Sequence, residues 1–238
     1  NAFEQEQPIL LDQFKNKTPF SKHLTSLIKY ADFGISDVKS VPANIPSDIW
    51  HQFKEQMKTQ IGADEGKLEE AFNIKNATQL QFTHTGEDSS SAGFGLDNES
   101  RGTVAALSFF SLALRQLSMP TVTLIDEIDT SLHPTLVAEL VALYTDPATN
   151  PHGSQLIFTT HDVSLINQSG SSNRLLQPDQ IWLVEKDKDG ASELFPVTEL
   201  GIRKEENIGK NYLNGVYGAT PNPSFHTVFA QIMNGDDD

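Results

Sequence analysis

The chain contains no cysteine. That excludes disulfides and thiolate metal sites, and it fits a reducing, cytoplasmic setting. Long apolar runs are missing as well. None approaches the roughly eighteen residues a helix needs to cross a bilayer, and no signal peptide is visible. Positive charge is scarce: 17 Lys and Arg stand against 32 Asp and Glu, for a formal charge of −15. This balance argues against a broad basic surface that grips nucleic acid through its phosphates, while leaving a local site open. There is no internal repeat, and low complexity is confined to Ser89–Ser91 and the acidic tail Asp236–Asp238. What is present suffices for a folded protein. With 238 residues and 37% hydrophobic content the chain can bury a core, as one large or two small domains.

Residues 1–78 read as a mixed, mainly helical segment, an arm or insert remnant. Thr25 to Tyr30 begins an amphipathic helix, Ala31 to Val41 reads as a turn and a short strand, and Pro42 and Pro46 mark a loop. Ile49 to Phe72 has helical spacing, with Trp50, Phe53, Met57 and Leu68 as packing positions. Thr78 to Thr85 alternates as a strand, Gly86 to Ser91 is a turn, and Ala92 to Leu96 leads onward. From Thr103 to Leu117 the apolar positions Val104, Leu107, Phe110, Leu114 and Leu117 predict a helix. Pro134 opens another helix that runs to about Tyr144, since proline suits a first turn. Gln155 to Thr160 is a core strand. Gln180–Val184 and Ser192–Val197 flank an Asp-Gly turn as a β-hairpin.

The most informative stretch is TVTLIDEIDTSLHP, residues 121–134. Val122 to Ile125 predicts a buried strand that delivers Asp126 and Glu127 at its C-terminal edge, the usual location for nucleotide chemistry in an open α/β sheet. The first acid suits Mg²⁺, a hard cation that takes carboxylate oxygen and keeps water. The second suits positioning or deprotonating an attacking water. Two unpaired acids directly after a buried strand would otherwise be costly. Upstream lies LDNESRGT (96–103), a small-residue turn opening a helix, and downstream QLIFTTHD (155–162), an apolar strand ending in histidine.

In this order and spacing the motifs resemble the C-terminal lobe of ABC-type ATPases. Ser100 and Gly102 match that family's signature, Asp126 and Glu127 its Walker B acids, Asp129 its D-loop, and His161 its switch histidine. The wording ESRGT, DEIDTSLHP and FTTHD, with a late YLNGVYGATP (212–221), resembles AAA-type ATP-binding proteins of the RloA and abortive-infection group, distant relatives of RecF and SMC ATPases. The resemblance covers residues 25–38 and 80–222. It implies a P-loop NTPase fold, a mostly parallel sheet flanked by helices, with residues 79–200 as the C-terminal lobe and 201–238 as a helix and tail. It also implies ATP and Mg²⁺ as cofactors. Two heads would sandwich ATP, with Ser100, Gly102 and Asp129 contacting nucleotide, Asp126 the metal, and Glu127 and His161 the reaction. The implied partners are a second head, a P-loop lobe, and DNA, RNA or an effector protein, but no membrane. The implied biology is phage defence by abortive infection, or DNA maintenance.

A Walker A loop, GxxxxGK[ST], is missing. The nearest string, Gly62-Ala-Asp-Glu-Gly66-Lys67-Leu68, has one residue too few between its glycines, Leu for Ser or Thr, and two acids where phosphate must approach. This, with the start at Asn1, is the expectation of a C-terminal fragment whose ATPase activity belongs to the intact protein, the chain alone being inactive. The alternative is a non-catalytic interaction module that retains the head fold. Several sites also have plain structural readings. Ser100 is an N-cap, Gly102 a packing concession, His133 a turn histidine, His84 a structural histidine, and Glu185, Asp187 and Asp189 a hairpin rather than a metal cluster. The cluster Tyr212, Gly215, Tyr217, Gly218 and Pro221 reads as a helix that stops and packs back on the core.

Overall fold

A computed structural model describes residues 2–31, 33–43, several positions between 51 and 59, and residues 78–86, 90–167, 174–203, 205–221 and 224–234. The Gly62–Leu68 string and most of the expected helix from Ile49 to Phe72 lie outside these. The chain forms two compact units, residues 1–157 and 158–238.

The first unit opens with α1 (Ala2–Lys15) and α2 (Pro19–Tyr30). Thr18 caps α2 by accepting the Ser21 N–H, and Pro19 supplies a preset φ in the first turn. Leu24 and Ile28, one turn apart, are both fully buried. Three antiparallel strands follow: β1 (Ile35–Pro42), β2 (Thr78–Thr85) and β3 (Ser91–Gly95), in the order β1-β2-β3. Val38 pairs with Phe82, and Phe82 with Phe94. Alternation along β2 buries Leu80 and Phe82, while a register irregularity between Ile35 and Asp37 lets Ile35 and Val38, three residues apart, both be buried on β1; α1 packs on both strands and α2 on β1. The largest described sheet is therefore antiparallel, which corrects the expectation of a mostly parallel one.

Helix α3 (Arg101–Gln116) packs on α1 and α2 and buries Ala106, Leu107 and Phe110. Glu6 of α1 accepts hydrogen bonds from Arg115 Nη2 (2.5 Å) and Ser111 Oγ (3.2 Å) of α3. Strand β4 (Val122–Ile125), helix α4 (Pro134–Thr145) and strand β5 (Gln155–Phe158) complete the unit, whose boundary falls at the end of β5. β4 and β5 pair with each other, and the Gln155 N–H donates to the Thr121 carbonyl at 2.8 Å. The two strands thus begin side by side, as parallel neighbours do. A small cavity lined by Phe109, Ala113, Ile125, Leu140, Tyr144 and Leu156 shows which face meets α3 and α4. The opposite face is open: Val122 is 58% exposed, Leu124 74% and Ile157 57%. The strand expected to be buried on both faces is buried on one.

A polar knot ties the ends of α3, α4 and β5 together. Asn150 donates to the carbonyls of Tyr144 (2.9 Å) and Ser154 (2.8 Å) and accepts the Ser154 N–H (2.8 Å). The Ser154 hydroxyl donates toward the carbonyls of Met119 (2.7 Å) and Gln116 (3.0 Å). Both side chains are buried, so these bonds satisfy groups that water cannot reach.

The second unit contains the hairpin β6 (Trp182–Lys186) and β7 (Ser192–Pro196), then α5 (Ile208–Leu213) and α6 (Phe225–Asn234). Asp187 closes the hairpin by accepting the N–H groups of Asp189 and Ala191, and Gly190 takes φ 86°. The expected Asp-Gly turn is what these acids build. Ile181, Leu183, Val197, Ile208 and Tyr217 form the core. No helix among the described residues is long and apolar enough to cross a membrane.

Candidate functional site

Ser100 is the N-cap of α3. Its Oγ accepts the Thr103 N–H (3.0 Å) and shares a hydrogen bond with Thr103 Oγ1 (2.9 Å). The structural reading of Ser100 therefore holds, and it leaves the exposed start of a sixteen-residue helix with its positive dipole end toward solvent. Gly102 explains itself through a neighbour. A Cβ there would lie 2.9 Å from the carbonyl oxygen of Ser131, closer than side-chain atoms tolerate. Only glycine lets the start of α3 lie against the turn that follows β4. Gly102 is thus brought against Ser131, two residues beyond Asp129, within the first unit.

That turn is built from the chain outward. Ile128 and Leu132 are buried and anchor it, while Asp126 and Glu127 emerge exposed and Asp129 is half-buried. The Thr130 N–H donates to the Glu127 carbonyl (2.9 Å), and the Leu132 N–H to that of Asp129 (3.2 Å). Thr130 Oγ1 donates to Glu127 Oε2 at 3.2 Å. Glu127 and Ser131 hold left-handed backbones, φ 50° and 68°. L-residues adopt that conformation reluctantly, so its presence at the proposed base is a local strain held by the buried anchors. The exposure of both acids also removes one argument made from sequence: neither carboxylate carries the penalty of burial after a buried strand.

His133 caps α4, its Nδ1 accepting the Thr135 N–H at 3.2 Å, so its turn role is the one the geometry supports. His84 donates from Nε2 to Glu99 Oε1 (2.8 Å) and meets Phe94 edge to face at 5.3 Å. It ties β2 to the residue before Ser100, a structural task. His161 lies in the second unit, exposed, three residues beyond β5. Asp162 caps the following 3-10 turn, Val163–Ile166, by accepting the Ser164 N–H at 2.9 Å. Thr130 and Ser131 were not singled out by sequence reasoning, although both stand inside the quoted motif.

The donor set bears on a metal. Among the described residues no group of three or more His, Asp or Glu side chains is placed to hold an ion. Two adjacent exposed carboxylates do not make a cage. They do suit Mg²⁺, which keeps several waters and is commonly held by one or two carboxylates together with substrate phosphates.

Residues 10–167 match the model of the family described as "AAA domain, putative AbiEii toxin, Type IV TA system". The chain belongs to this family. It is an AAA domain, of a class that in general uses nucleotide and Mg²⁺, and the matched span holds Ser100, Gly102, Asp126, Glu127, Asp129 and His161. No curated protein matches the AAA domain. Among solved structures, it is similar to an Smc head bound to the C-winged helix domain of ScpA, with 16% identity and a TM-score of 0.42. That similarity covers 74% of this chain and 41% of the other, so the AAA domain spans less than half the length of that head.

Proposed function

We propose that this chain is the C-terminal head portion of a nucleotide-switched ATPase. In this reading it lacks the Walker A part, and the intact cytoplasmic protein acts in phage defence or DNA maintenance. The observation that carries the reading is the pair Asp126 and Glu127, exposed at the end of β4 on a turn held by Ile128 and Leu132, with Glu127 in a strained backbone. Family membership supports it. Asp126 would hold Mg²⁺, which when bound would supply positive charge against the phosphates. Glu127 accepts a proton from the attacking water, and Thr130 Oγ1 steadies its carboxylate. The amides at the start of α3, beside Ser100 and Gly102, face phosphate oxygens held on a second head, where the helix dipole favours negative charge. Asp129 reaches nucleotide across the same interface, and His161 donates toward the γ-phosphate. Two heads closing on ATP and separating after hydrolysis would signal to DNA, RNA or an effector protein.

Glu127→Gln in the intact protein tests this. ATP binding is expected to persist while hydrolysis slows by orders of magnitude, because water activation is lost and the metal ligand remains. Nucleotide-bound dimers should accumulate. Turnover at the wild-type rate would remove Glu127 from the reaction. A second reading, an interaction module that kept the fold without turnover, rests on a specific observation: no GxxxxGK[ST] string occurs in the 238 residues. ATP turnover by the intact protein separates the two.

A further inference from the structure

The Tyr212–Pro221 segment is the sequence cluster the proposed reaction leaves unused, and the second unit gives it a task. His161 is followed by Asp162, whose N–H donates to Thr160 Oγ1 (3.0 Å) and whose carboxylate caps the 3-10 turn Val163–Ile166. Leu165 is buried beneath that turn, and the Asn167 N–H closes it on the Ser164 carbonyl (3.3 Å). From His161 to Asn167 the chain is therefore a short run of hydrogen-bonded turns, fixed at its far end by whatever touches Asn167. That neighbour is Gly209, near the start of α5. A Cβ on Gly209 would lie 2.8 Å from Asn167 Cα, 3.0 Å from its N and 3.0 Å from its Cβ. The nearest of these is backbone, which cannot swing aside as a side-chain tip can, so glycine sets how closely α5 seats against the turn.

α5 is held in turn by the aromatic cluster. Asn207 caps it, accepting the Lys210 N–H at 2.9 Å. Just before it, Glu206 accepts the Arg203 N–H (2.9 Å), the Tyr217 hydroxyl (3.1 Å) and Asn211 Nδ2, while Arg174 donates to its carbonyl (2.6 Å). Tyr217 sits in the core beside Ile208. The Tyr212 hydroxyl donates to the Ala219 carbonyl (3.1 Å), and Thr220 Oγ1 donates to that of Tyr212 (2.9 Å), so the segment after α5 folds back and locks onto it.

We propose that Gly209, backed by the Glu206–Tyr217 clamp, is a positioning residue for His161: it seats α5 against Asn167 and so sets the turn from which the histidine is presented. The inference rests on the assignment of His161 to the γ-phosphate, and the test separates the two. In the intact protein, Gly209→Ala lowers kcat for ATP at least tenfold with KM within about twofold, and adding it to His161→Ala changes kcat by less than twofold. Tyr217→Phe, which keeps the ring and loses the hydroxyl, gives a smaller fall that likewise vanishes in the His161→Ala background. It serves as the second variant if the alanine fails to give a cooperative melt. Equal falls in both backgrounds, or kcat within twofold of wild type, would overturn the proposal. A readout independent of turnover uses the 238-residue chain: Gly209→Ala and Tyr217→Phe shift the imidazole resonances of His161 in ¹⁵N-correlated NMR spectra, and unmoved resonances in both overturn it. If His161→Ala turns over ATP normally, the catalytic assignment fails, and the NMR arm alone decides whether Gly209 positions the ring.

Discussion

At Glu127, stability and the proposed chemistry pull in opposite directions. A left-handed backbone costs an L-residue roughly 1–2 kcal/mol, and φ 50° places Glu127 there on an exposed turn. Glycine relieves that strain but adds about 0.5–1 kcal/mol of freedom to the unfolded chain. Glu127→Gly is therefore expected to leave stability unchanged or raise it by about 1 kcal/mol, while ATP turnover by the intact protein is lost. Urea denaturation with a steady-state ATPase assay checks both halves, and a loss of stability would show that the turn needs the carboxylate for its own structure. Asn150 behaves oppositely. Its two hydrogen bonds to Ser154 are buried and the third, to the Tyr144 carbonyl, is partly so; alanine there strands the N–H and carbonyl of Ser154. Asn150→Ala should cost about 2–4 kcal/mol, read as a lower urea midpoint, with no effect on chemistry beyond that expected from partial unfolding.

Among the elements, those governed by local pattern were legible in the sequence. The helix at Arg101–Gln116 followed from its apolar spacing, Pro134 announced its helix, Thr78–Thr85 alternated as the strand it is, and the Asp-Gly hairpin formed around Asp187. Elements that break local rules were missed. α1 carries Pro8 in its interior, and β3 holds two glycines in five residues, so neither advertises itself. The apolar run Val122–Ile125 gave the strand but not its surroundings, because a short run reads the same whether one face or both are covered. The candidate site residues were proposed from motifs, and Ser100, Gly102, Asp126, Glu127 and Asp129 fall within the first unit. The contacts that hold them, Gly102 to Ser131 and Gly209 to Asn167, join distant parts of the chain and leave no local trace. The clamp before α5 also makes a pH prediction. The Arg203 backbone N–H, helped by the Tyr217 and Asn211 side chains and the Arg203 charge, holds the Glu206 carboxyl below the usual carboxylate range despite an opposing effect of burial. A depressed carboxylate contributes stability that is present above its unfolded pKa and lost as pH falls through the folded one. Urea midpoints should therefore drop on acidification below the ordinary glutamate range, and Glu206→Gln should remove part of that drop while lowering the midpoint at neutral pH. An acid limb unchanged by Glu206→Gln would show that other carboxylates carry it.

For the whole chain, the question is how much nucleotide affinity remains without a phosphate cradle. In P-loop enzymes the backbone N–H groups and the lysine of GxxxxGK[ST] hold the phosphates directly, and the 238 residues contain no such string. What the chain offers instead is Asp126 and Glu127 on an exposed turn and the start of α3. In the proposed reaction the start of α3 serves nucleotide held by another head, so it adds little here. Two carboxylates facing a polyphosphate repel it unless Mg²⁺ lies between them, and the formal charge of −15 gives no long-range attraction to offset this. Mg·ATP should therefore bind the purified chain with at most millimolar affinity, roughly −4 kcal/mol, and hydrolysis should be undetectable. Titration calorimetry at low ionic strength, where any electrostatic contribution is largest, is the appropriate measurement. Micromolar binding would mean that Gly62–Lys67 cradles phosphate despite its spacing and its two acids, or that the chain builds a nucleotide site from other residues. Substituting Lys67 would separate those outcomes, since only the first depends on it.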